Sequence, residues 1–289
     1  MNRLALGTVQ FGLTYGISNQ SGKVNESEIA KILQLARVSK IDSIDTAISY
    51  GSSEESLGKS GVKDFKIVTK LPHLPENCSD INGWVELQIN KSLLKLRVNK
   101  LYGLLLHQPY QLKGDNGTKL FRALELLKEK GKVDKVGISI YSPNELNELS
   151  IRFNFDLIQA PFNLIDRRIY TSGWLNKLKD DGVEVHSRSV FLQGLLLMNQ
   201  SDIPNKFFPW QGILKKWHEW LLTNNITAVE ACIAFQLYHH EIDRVLVGVE
   251  SANQLTEIVN NLNGQLITNF PNIQCEDEEL INPMNWNKV

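Results

Sequence analysis

Four residues of this sequence have side chains whose combined chemistry suits proton delivery: Asp45, Tyr50, Lys70 and His107. Asp45, Lys70 and His107 each end a short apolar run that is typical of a parallel β-strand, and Tyr50 follows Asp45 by five residues. In a closed barrel, the carboxyl ends of all strands meet at one mouth. The sequence therefore predicts that the four side chains lie together at that mouth.

Tyr50 is the candidate acid of this group. A phenol has an unperturbed pKa of about 10, and a nearby ammonium lowers that pKa because it stabilises the phenolate. Lys70 can supply the ammonium, and Asp45 can keep a buried Lys70 charged. The imidazole of His107 can hydrogen-bond an incoming carbonyl oxygen and either orient it or relay the proton. We therefore expect carbonyl reduction, in which Tyr50 supplies the proton and a separate donor supplies the hydride.

The elements that would position these residues alternate between strand and helix patterns. Strand-like runs begin near Leu4, Ser43, Lys66, Tyr102, Lys135, Asp156, Glu184 and Arg244. Helical spacing of apolar residues follows most of them, as in Ile29, Ile32 and Leu33, where Asn25 and Glu28 match a capping box. Eight such units predict an α/β fold, a (β/α)8 TIM barrel of parallel strands in a single domain.

The predicted domain covers residues 1–289. An extended loop and an extra helix interrupt the alternation at about 195–225, and a polar C-terminal tail follows at about 269–289. Long loops on a barrel commonly shape or cover the ligand pocket. The loop aromatic residues Phe207, Phe208 and Trp210 are therefore candidates for a lid.

The composition indicates a protein that acts on a small molecule. The chain has 289 residues, 42% hydrophobic content and a formal net charge of -1, so it has no general attraction for nucleic acid or anionic lipid. No apolar run approaches the roughly 18 residues of a membrane helix. Cys78, Cys232 and Cys275 are widely spaced and predict reduced thiols. We expect a soluble, cytoplasmic protein whose partner is a carbonyl substrate, with oligomeric state left open.

Longer sequence blocks around the four residues resemble the aldo-keto reductase family. The blocks are Asp45-Thr46-Ala47 with Tyr50-Gly51, Val68-Thr69-Lys70, and Leu105-Leu106-His107, in the family's order and rough separation. Further matches lie at residues 136–139, 157–163 and 187–194. The resemblance implies a (β/α)8 barrel, a nicotinamide cofactor (NADPH or NADH) extended across the C-terminal mouth, and no metal.

Carried over residue by residue, the resemblance assigns the four residues to the family's catalytic tetrad. It implies cofactor binding by Ser139, Gln159, Arg188, Ser189, Gly248, Glu250, Ser251 and Gln254. Ser139 and Gln159 would bind the nicotinamide carboxamide, because a hydroxyl and a primary amide offer matching donors and acceptors. Ile140 departs from the family pattern, which usually has Asn there, so one carboxamide contact is expected to be missing.

The resemblance also bears on cofactor choice. Glu250 and Gln254 stand where the family commonly has basic residues for the 2′-phosphate of NADPH. A carboxylate would repel that phosphate, yet it can accept hydrogen bonds from the free ribose hydroxyls of NADH. We therefore predict a preference for NADH or dual use, with Ser251 capping a helix whose amino end suits a phosphate. Arg188 stands at the position that stacks on the nicotinamide, where its charge would disfavour the oxidised, cationic ring.

Two other functions are compatible with these residues. One is a non-catalytic, nicotinamide-binding regulatory barrel, which the intact set of catalytic side chains argues against. The other is a Schiff-base lyase or aldolase with Lys70 as nucleophile, which the Asp45 partner argues against because it holds the amine charged. No motif identifies the substrate, and the expectation of a sugar-like carbonyl rests on polar residues such as His73 and Gln108.

Overall fold

The strands of this protein form a closed barrel in the computed structural model, which describes residues 2–19, 21–263 and 267–286. The strands are β1 (Leu4–Gly7), β2 (Ser43–Asp45), β3 (Lys66–Leu71), β4 (Leu101–Leu106), β5 (Val133–Ser139), β6 (Leu157–Pro161), β7 (Glu184–Arg188) and β8 (Arg244–Gly248). Each strand pairs in parallel with its sequence neighbours, and β1 pairs with β8 to close the barrel. All eight begin within two residues of their predicted starts. The predicted (β/α)8 fold class is therefore confirmed.

Helices connect the strands on the outside of the barrel. The α-helices are α1 (Glu26–Val38), α2 (Ser53–Ser60), α3 (Ile81–Leu96), α4 (Gly117–Glu129), α5 (Asn144–Arg152), α6 (Arg168–Thr171), α7 (Trp174–Asp180), α8 (Gln211–Asn224), α9 (Ala228–Tyr238), α10 (Ala252–Asn260) and α11 (Glu278–Ile281). Short 3-10 helices span Val9–Phe11, Pro109–Lys113, Leu192–Leu197, Gln200–Asp202, Asn205–Trp210, Asn261–Asn263 and Pro283–Asn285. Among these helices, none has both the length and the apolar character needed to cross a bilayer. The predicted cytoplasmic location stays a prediction.

Helix α1 shows how local pattern and packing combine. Its residues Ile29, Ile32 and Leu33 are buried, as their helical spacing predicts. The side chain of Asn25 caps the helix by accepting a hydrogen bond from the Glu28 backbone N–H at 3.0 Å. The Glu28 carboxylate does not complete the predicted capping box, because it accepts a hydrogen bond from Ala252 at the start of α10 instead.

The interior of the barrel has an apolar layer below the mouth. Val68, Leu105 and Leu157 form a small buried cluster. They precede three polar residues of the mouth by two positions, namely Lys70, His107 and Gln159. Because side chains two apart on a strand face the same side, the apolar residues lie directly beneath the polar ones. The three apolar side chains therefore form a floor under the mouth.

The segment between β7 and β8 packs against the C-terminal segment. The Trp210 indole N–H donates to the Asp277 carboxylate at 2.9 Å, and the Phe207 and Trp286 rings meet edge-on with centroids 4.9 Å apart. Phe207 and Trp210 are both buried, so these two lid candidates anchor the C-terminal segment rather than cover a pocket. The third candidate, Phe208, is 66% exposed, and its role as a lid stays a prediction. Residues 287–289 of the predicted tail lie outside the described residues, and the single-domain boundaries stay a prediction.

Candidate active site

The carboxyl ends of neighbouring strands carry three of the four predicted catalytic side chains. Asp45 is the last residue of β2, Lys70 precedes the last residue of β3, and His107 directly follows β4. Tyr50 lies on the connection between β2 and α2. The structure therefore brings all four residues to one mouth of the barrel.

Asp45 and Lys70 form a buried ion pair. The Nζ of Lys70 donates to both carboxylate oxygens of Asp45, at 2.6 and 2.8 Å, and to the carbonyl oxygen of Thr46 at 3.0 Å. Only 1% of the Lys70 side chain and 7% of the Asp45 side chain are exposed. Burial lowers the pKa of Lys70, and the Asp45 carboxylate opposes that shift. Because an ammonium has three donors, Lys70 has no further N–H to direct at another group.

Tyr50 is close to both the ion pair and His107. The Nζ of Lys70 lies 5.1 Å from the centre of the Tyr50 ring, and the rings of Tyr50 and His107 meet edge-on with centroids 5.8 Å apart. Burial raises the pKa of Tyr50, the Asp45 carboxylate raises it further, and Arg188 opposes the rise. Lys70 was expected to lower this pKa, but burial and the Asp45 carboxylate move it in the opposite direction. Tyr50 is therefore protonated at neutral pH, which is the form that an acid requires.

The imidazole of His107 is neutral at physiological pH. Burial lowers its pKa to about 4, and the nearby charge of Lys70 adds to the shift. Its Nδ1 lies 3.1 Å from the Ser49 hydroxyl. In the tautomer that accepts a hydrogen bond from Ser49, the ring proton is on Nε2 and can be donated to a carbonyl oxygen.

Ser139 and Gln159 connect the predicted carboxamide position to the ion pair. The Ser139 hydroxyl donates to Gln159 Oε1 at 3.2 Å, and Gln159 Nε2 donates to Asp45 Oδ1 at 2.7 Å. Both side chains are buried, and Ser139, the last residue of β5, pairs with Gln159 in the middle of β6. The second amide hydrogen of Gln159 and the lone pairs of the Ser139 hydroxyl can still serve a bound carboxamide.

Arg188 has no carboxylate partner among the described residues. Its guanidinium carbon lies 4.7 Å from the centre of the Tyr141 ring, and its N–H groups donate to the Ile140 carbonyl at 2.9 Å and the Ser189 hydroxyl at 3.2 Å. The Ile140 side chain is buried in the core. Arg188 therefore brings an uncompensated positive charge to the catalytic end of the mouth.

A cleft of about 400 Å³ runs across the mouth from Tyr50 to the start of α10. Seven of the eight predicted cofactor residues line it, namely Ser139, Gln159, Arg188, Ser189, Gly248, Glu250 and Gln254. Ser251 is outside this lining, and its hydroxyl caps α10 by accepting from the Gln254 N–H at 3.3 Å. Lys70 is also outside the lining, behind Asp45. The cleft includes Gln10, whose buried Oε1 has no partner among the described residues. This oxygen can accept a hydrogen bond from a ligand, and Ser139 and Gln159 can bind a carboxamide. The lining of this elongated cleft therefore fits a nicotinamide dinucleotide.

Several residues of the cleft were not found by sequence reasoning, namely Tyr15, Tyr141, Gln193, Glu257, Asn282, Pro283 and Met284. Tyr141 follows Ser139, the last residue of β5, by two positions. This position just after the carboxyl end of a strand is the signal from which Tyr141 could have been predicted. Met284 lies in the polar C-terminal segment, and only tertiary packing brings it to the cleft. His73 and Gln108, which suggested a sugar-like substrate, are not among the lining residues. No group of three metal-ligating side chains converges within the part of the chain that the structure describes.

Comparison with known proteins identifies the family and the fold of this chain. Residues 3–270 match the aldo/keto reductase family. The chain is 26% identical over 296 residues to the uncharacterized oxidoreductase YqkF of Bacillus subtilis (strain 168), and 93% of each chain is covered. The holo form of aldo-keto reductase AKR11C1 from Bacillus halodurans has a TM-score of 0.74 at 22% identity, covering 92% of this chain and 88% of that chain. The glycerol dehydrogenase AKR11B4 from Gluconobacter oxydans has a TM-score of 0.69 at 21% identity, covering 93% and 88%. The two structural likenesses show the shared barrel fold.

Proposed function

Because this chain belongs to the aldo/keto reductase family of oxidoreductases, we propose that it reduces an aldehyde or ketone to an alcohol with NADH or NADPH. The observation that carries the proposal is a protonated Tyr50 beside the Asp45 and Lys70 ion pair, at one end of the cleft that His107 also lines. A bound nicotinamide supplies the hydride for such a reduction. Ser139 and Gln159 would hold its carboxamide.

Tyr50 acts as the proton donor in this proposal. When the carbonyl carbon gains a hydride, its oxygen becomes an alkoxide, which is a stronger base than a phenolate and takes the Tyr50 proton despite the raised pKa. The ammonium of Lys70 stabilises the resulting phenolate, and Asp45 keeps that ammonium charged in its buried position. The same groups serve alcohol oxidation in the reverse direction.

His107 orients the substrate in this proposal. Its neutral ring, with Nδ1 held by Ser49, donates one hydrogen bond from Nε2 to the carbonyl oxygen. That bond fixes the oxygen near Tyr50 without adding a second charge to the site. Positioning of this kind supplies a large part of the catalysis in enzymes that hold two reactants in line.

We further propose that the protein prefers NADH or uses both cofactors, with NADPH favoured by no more than about tenfold. The cleft at the start of α10 presents Glu250 and Gln254, and neither offers a positive charge to a 2′-phosphate. Phosphate recognition usually relies on Arg or Lys. Values of kcat/KM for the two cofactors, measured with one substrate, test this part. A preference for NADPH of more than about tenfold, equivalent to 1.4 kcal/mol, would contradict it.

The catalytic end of the cleft favours a polar, sugar-like substrate. The Tyr15 hydroxyl accepts a hydrogen bond from Gln193 Nε2 at 2.8 Å, and Asn282 and Arg188 also line the cleft. Hydroxyl groups next to the reacting carbonyl can pair with these donors and acceptors. If steroid-sized ketones bind more tightly than hydroxylated aldehydes, this part of the proposal is wrong.

The geometry argues against Lys70 as a Schiff-base nucleophile. Its ammonium is bound to three acceptors, is buried, and does not line the cleft. A nucleophilic amine must be neutral and open to the substrate carbonyl. Borohydride treatment in the presence of carbonyl substrates is therefore expected to leave Lys70 unmodified.

The decisive experiment is a screen of carbonyl substrates with NADH and NADPH in parallel, with Tyr50→Phe as the control. Phenylalanine keeps the ring packing but removes the acidic proton, so we expect kcat/KM to fall by about 10²- to 10⁴-fold. The Kd for the cofactor should change little, because the hydroxyl acts in the transition state. Tight cofactor binding without turnover of any substrate would indicate a regulatory barrel instead.

A further inference from the structure

Glu28 of α1 reaches the start of α10 at the end of the cleft remote from Tyr50. Its Oε1 accepts a hydrogen bond from the Ala252 backbone N–H at 2.8 Å, and its Oε2 accepts one from Lys31 at 3.1 Å. The hydrogen bond from Ala252 lowers the pKa of Glu28, and the Lys31 contact lowers it further. The carboxylate is therefore ionised at neutral pH. Its contact joins residues 224 positions apart in the chain.

Neighbouring backbone donors at the start of α10 are also taken by the protein itself. The Gln254 N–H donates to the Ser251 hydroxyl at 3.3 Å, and the Glu250 N–H donates to Gln254 Oε1 at 2.7 Å. The first N–H groups of a helix lack intrahelical partners and commonly bind phosphate groups. Here two such donors, the N–H groups of Ala252 and Gln254, are bound to side chains, and the Glu250 N–H just before the cap is also taken, so the amino end of α10 is less open to a phosphate than the sequence suggested.

The charges around this end of the cleft are mainly negative. Glu250 and Glu257 line the cleft, and Glu28 lies behind them at Ala252. Among the described residues that line the cleft, the only Lys or Arg is Arg188, which lies at the catalytic end. Lys31 is 63% exposed, so solvent screens much of its charge. A dianionic phosphate would therefore meet repulsion here without a compensating cation in the lining.

We propose that Glu28 is a cofactor-selecting residue. The Glu28 carboxylate occupies the Ala252 N–H and holds a negative charge where the 2′-phosphate of NADPH would approach, so that it disfavours NADPH relative to NADH. The inference rests on the proposed function, because hydride transfer requires the nicotinamide at the Tyr50 end. The adenosine half of the dinucleotide then lies at the α10 end.

Two variants of Glu28 separate its charge from its hydrogen bond. Glu28→Gln keeps an acceptor for the Ala252 N–H and removes the charge, whereas Glu28→Ala removes both. A matched control is Glu26→Gln, which removes the same charge from the first turn of α1, where Glu26 is 68% exposed and paired with Lys59. Thermal unfolding of each variant shows whether it is folded before binding is measured.

The measurement is the Kd for NADH and for NADPH, together with the Kd for 5′-AMP and for adenosine 2′,5′-bisphosphate, which differ only in the 2′-phosphate. We expect Glu28→Gln to shift both affinity ratios towards the 2′-phosphorylated ligand by about 3- to 10-fold, or roughly 0.7 to 1.4 kcal/mol. Glu28→Ala should shift them further because it frees the Ala252 N–H, and Glu26→Gln should leave them unchanged.

The outcomes distinguish this inference from the proposed function. If the variants bind both dinucleotides with unchanged ratios, or if Glu26→Gln shifts the ratios equally, Glu28 has no selective role and the inference is overturned. If the unmodified protein binds neither NADH nor NADPH, the proposed function fails and the inference fails with it. Turnover is not needed for either conclusion.

Discussion

The backbone of Tyr50 lies so close to Gly12 that residue 12 has no room for a side chain. A Cβ placed on Gly12 would stand 1.7 Å from the carbonyl oxygen of Tyr50 and 2.6 Å from the backbone nitrogen of Ser53. The same Tyr50 oxygen accepts a hydrogen bond from Ser53 at 3.0 Å. The loop after β1 therefore supports the connection that carries the candidate acid.

Gly12→Ala should strongly reduce kcat while the protein still folds. The methyl group must push the Tyr50 connection away, and displacement of a catalytic group by about 1 Å can cost about 10²-fold in rate. Overpacking of this kind commonly costs about 1 to 3 kcal/mol of unfolding free energy. Gly212→Ala is the control, since a Cβ there meets no atom within 4 Å. Equal kcat values for the two variants would show that Gly12 does not position Tyr50.

Substitutions of Asp45 and Lys70 should have strongly coupled effects on the unfolding free energy, because the two residues form a buried ion pair. Asp45→Asn leaves a buried ammonium without its counter-charge, and breaking a buried pair from one side typically costs about 3 to 5 kcal/mol. Lys70→Met leaves Asp45 with the Gln159 contact alone among these side chains. We expect both single variants to unfold at lower urea concentration and to lose most of their activity.

The double variant, with Asp45→Asn and Lys70→Met, supplies the matching test. It contains no buried charge at this position, so its unfolding free energy should exceed that of Asp45→Asn. Its activity should stay low, because the Lys70 ammonium next to the Tyr50 ring is gone. Strictly additive losses of stability would show that the two charges are not coupled.

His239 predicts a loss of stability in mild acid. It is 7% exposed and contacts the rings of Phe162, Phe235 and Tyr170. Burial lowers its pKa to about 4. Its unfolded value is about 6.5, so between these values only the unfolded chain binds the proton and stability falls as pH falls. The unfolding free energy of the unmodified protein, measured with denaturant, should fall by about 2 to 3 kcal/mol more between pH 7 and pH 4.5 than that of His239→Phe. If the unfolding free energies of the two proteins change in parallel with pH, this prediction is wrong.

Arg188 predicts tighter binding of the reduced cofactor. Its guanidinium, which has no carboxylate partner among the described residues, lines the cleft near Tyr50, where it would repel the cationic ring of an oxidised nicotinamide but not the neutral reduced ring. We expect the Kd for NAD⁺ to exceed the Kd for NADH, and Arg188→Gln should reduce the ratio of these two Kd values by about tenfold, or 1.4 kcal/mol. Arg188→Lys, which keeps the charge, should retain most of the ratio. Similar Kd values for NADH and NAD⁺ in the unmodified protein would refute the idea.

The fold could be predicted because each strand carries its own local signal. The apolar run that ends at Lys70 and the run that ends at His107 both match observed strands. Alternation of strands with helical patterns then leaves few arrangements, since parallel strands need crossover connections. Phe207 shows the limit of this reasoning. Aromatic residues on a loop resemble a lid in sequence, but contact with Trp286 buries this one.

The details of the candidate site depend on distances that a sequence does not contain. The expected drop in the pKa of Tyr50 considered only the Lys70 ammonium, whereas in the structure burial and the Asp45 carboxylate raise that pKa. Glu28 illustrates the same point. Its position three residues after Asn25 predicts a local cap, and nothing in that pattern indicates the contact with Ala252.

The apolar floor of Val68, Leu105 and Leu157 determines the direction from which a Tyr50 phenolate can be reprotonated. In the proposed reaction, Tyr50 gives up its proton at each turnover and must regain one, and this closely packed apolar layer blocks passage from the base of the barrel. On the opposite side, Ser49 is exposed and touches His107, which touches Tyr50. A proton from bulk water would therefore reach Tyr50 through the same mouth by which the proposed substrate enters, and a ligand bound in that mouth would slow the reprotonation of Tyr50.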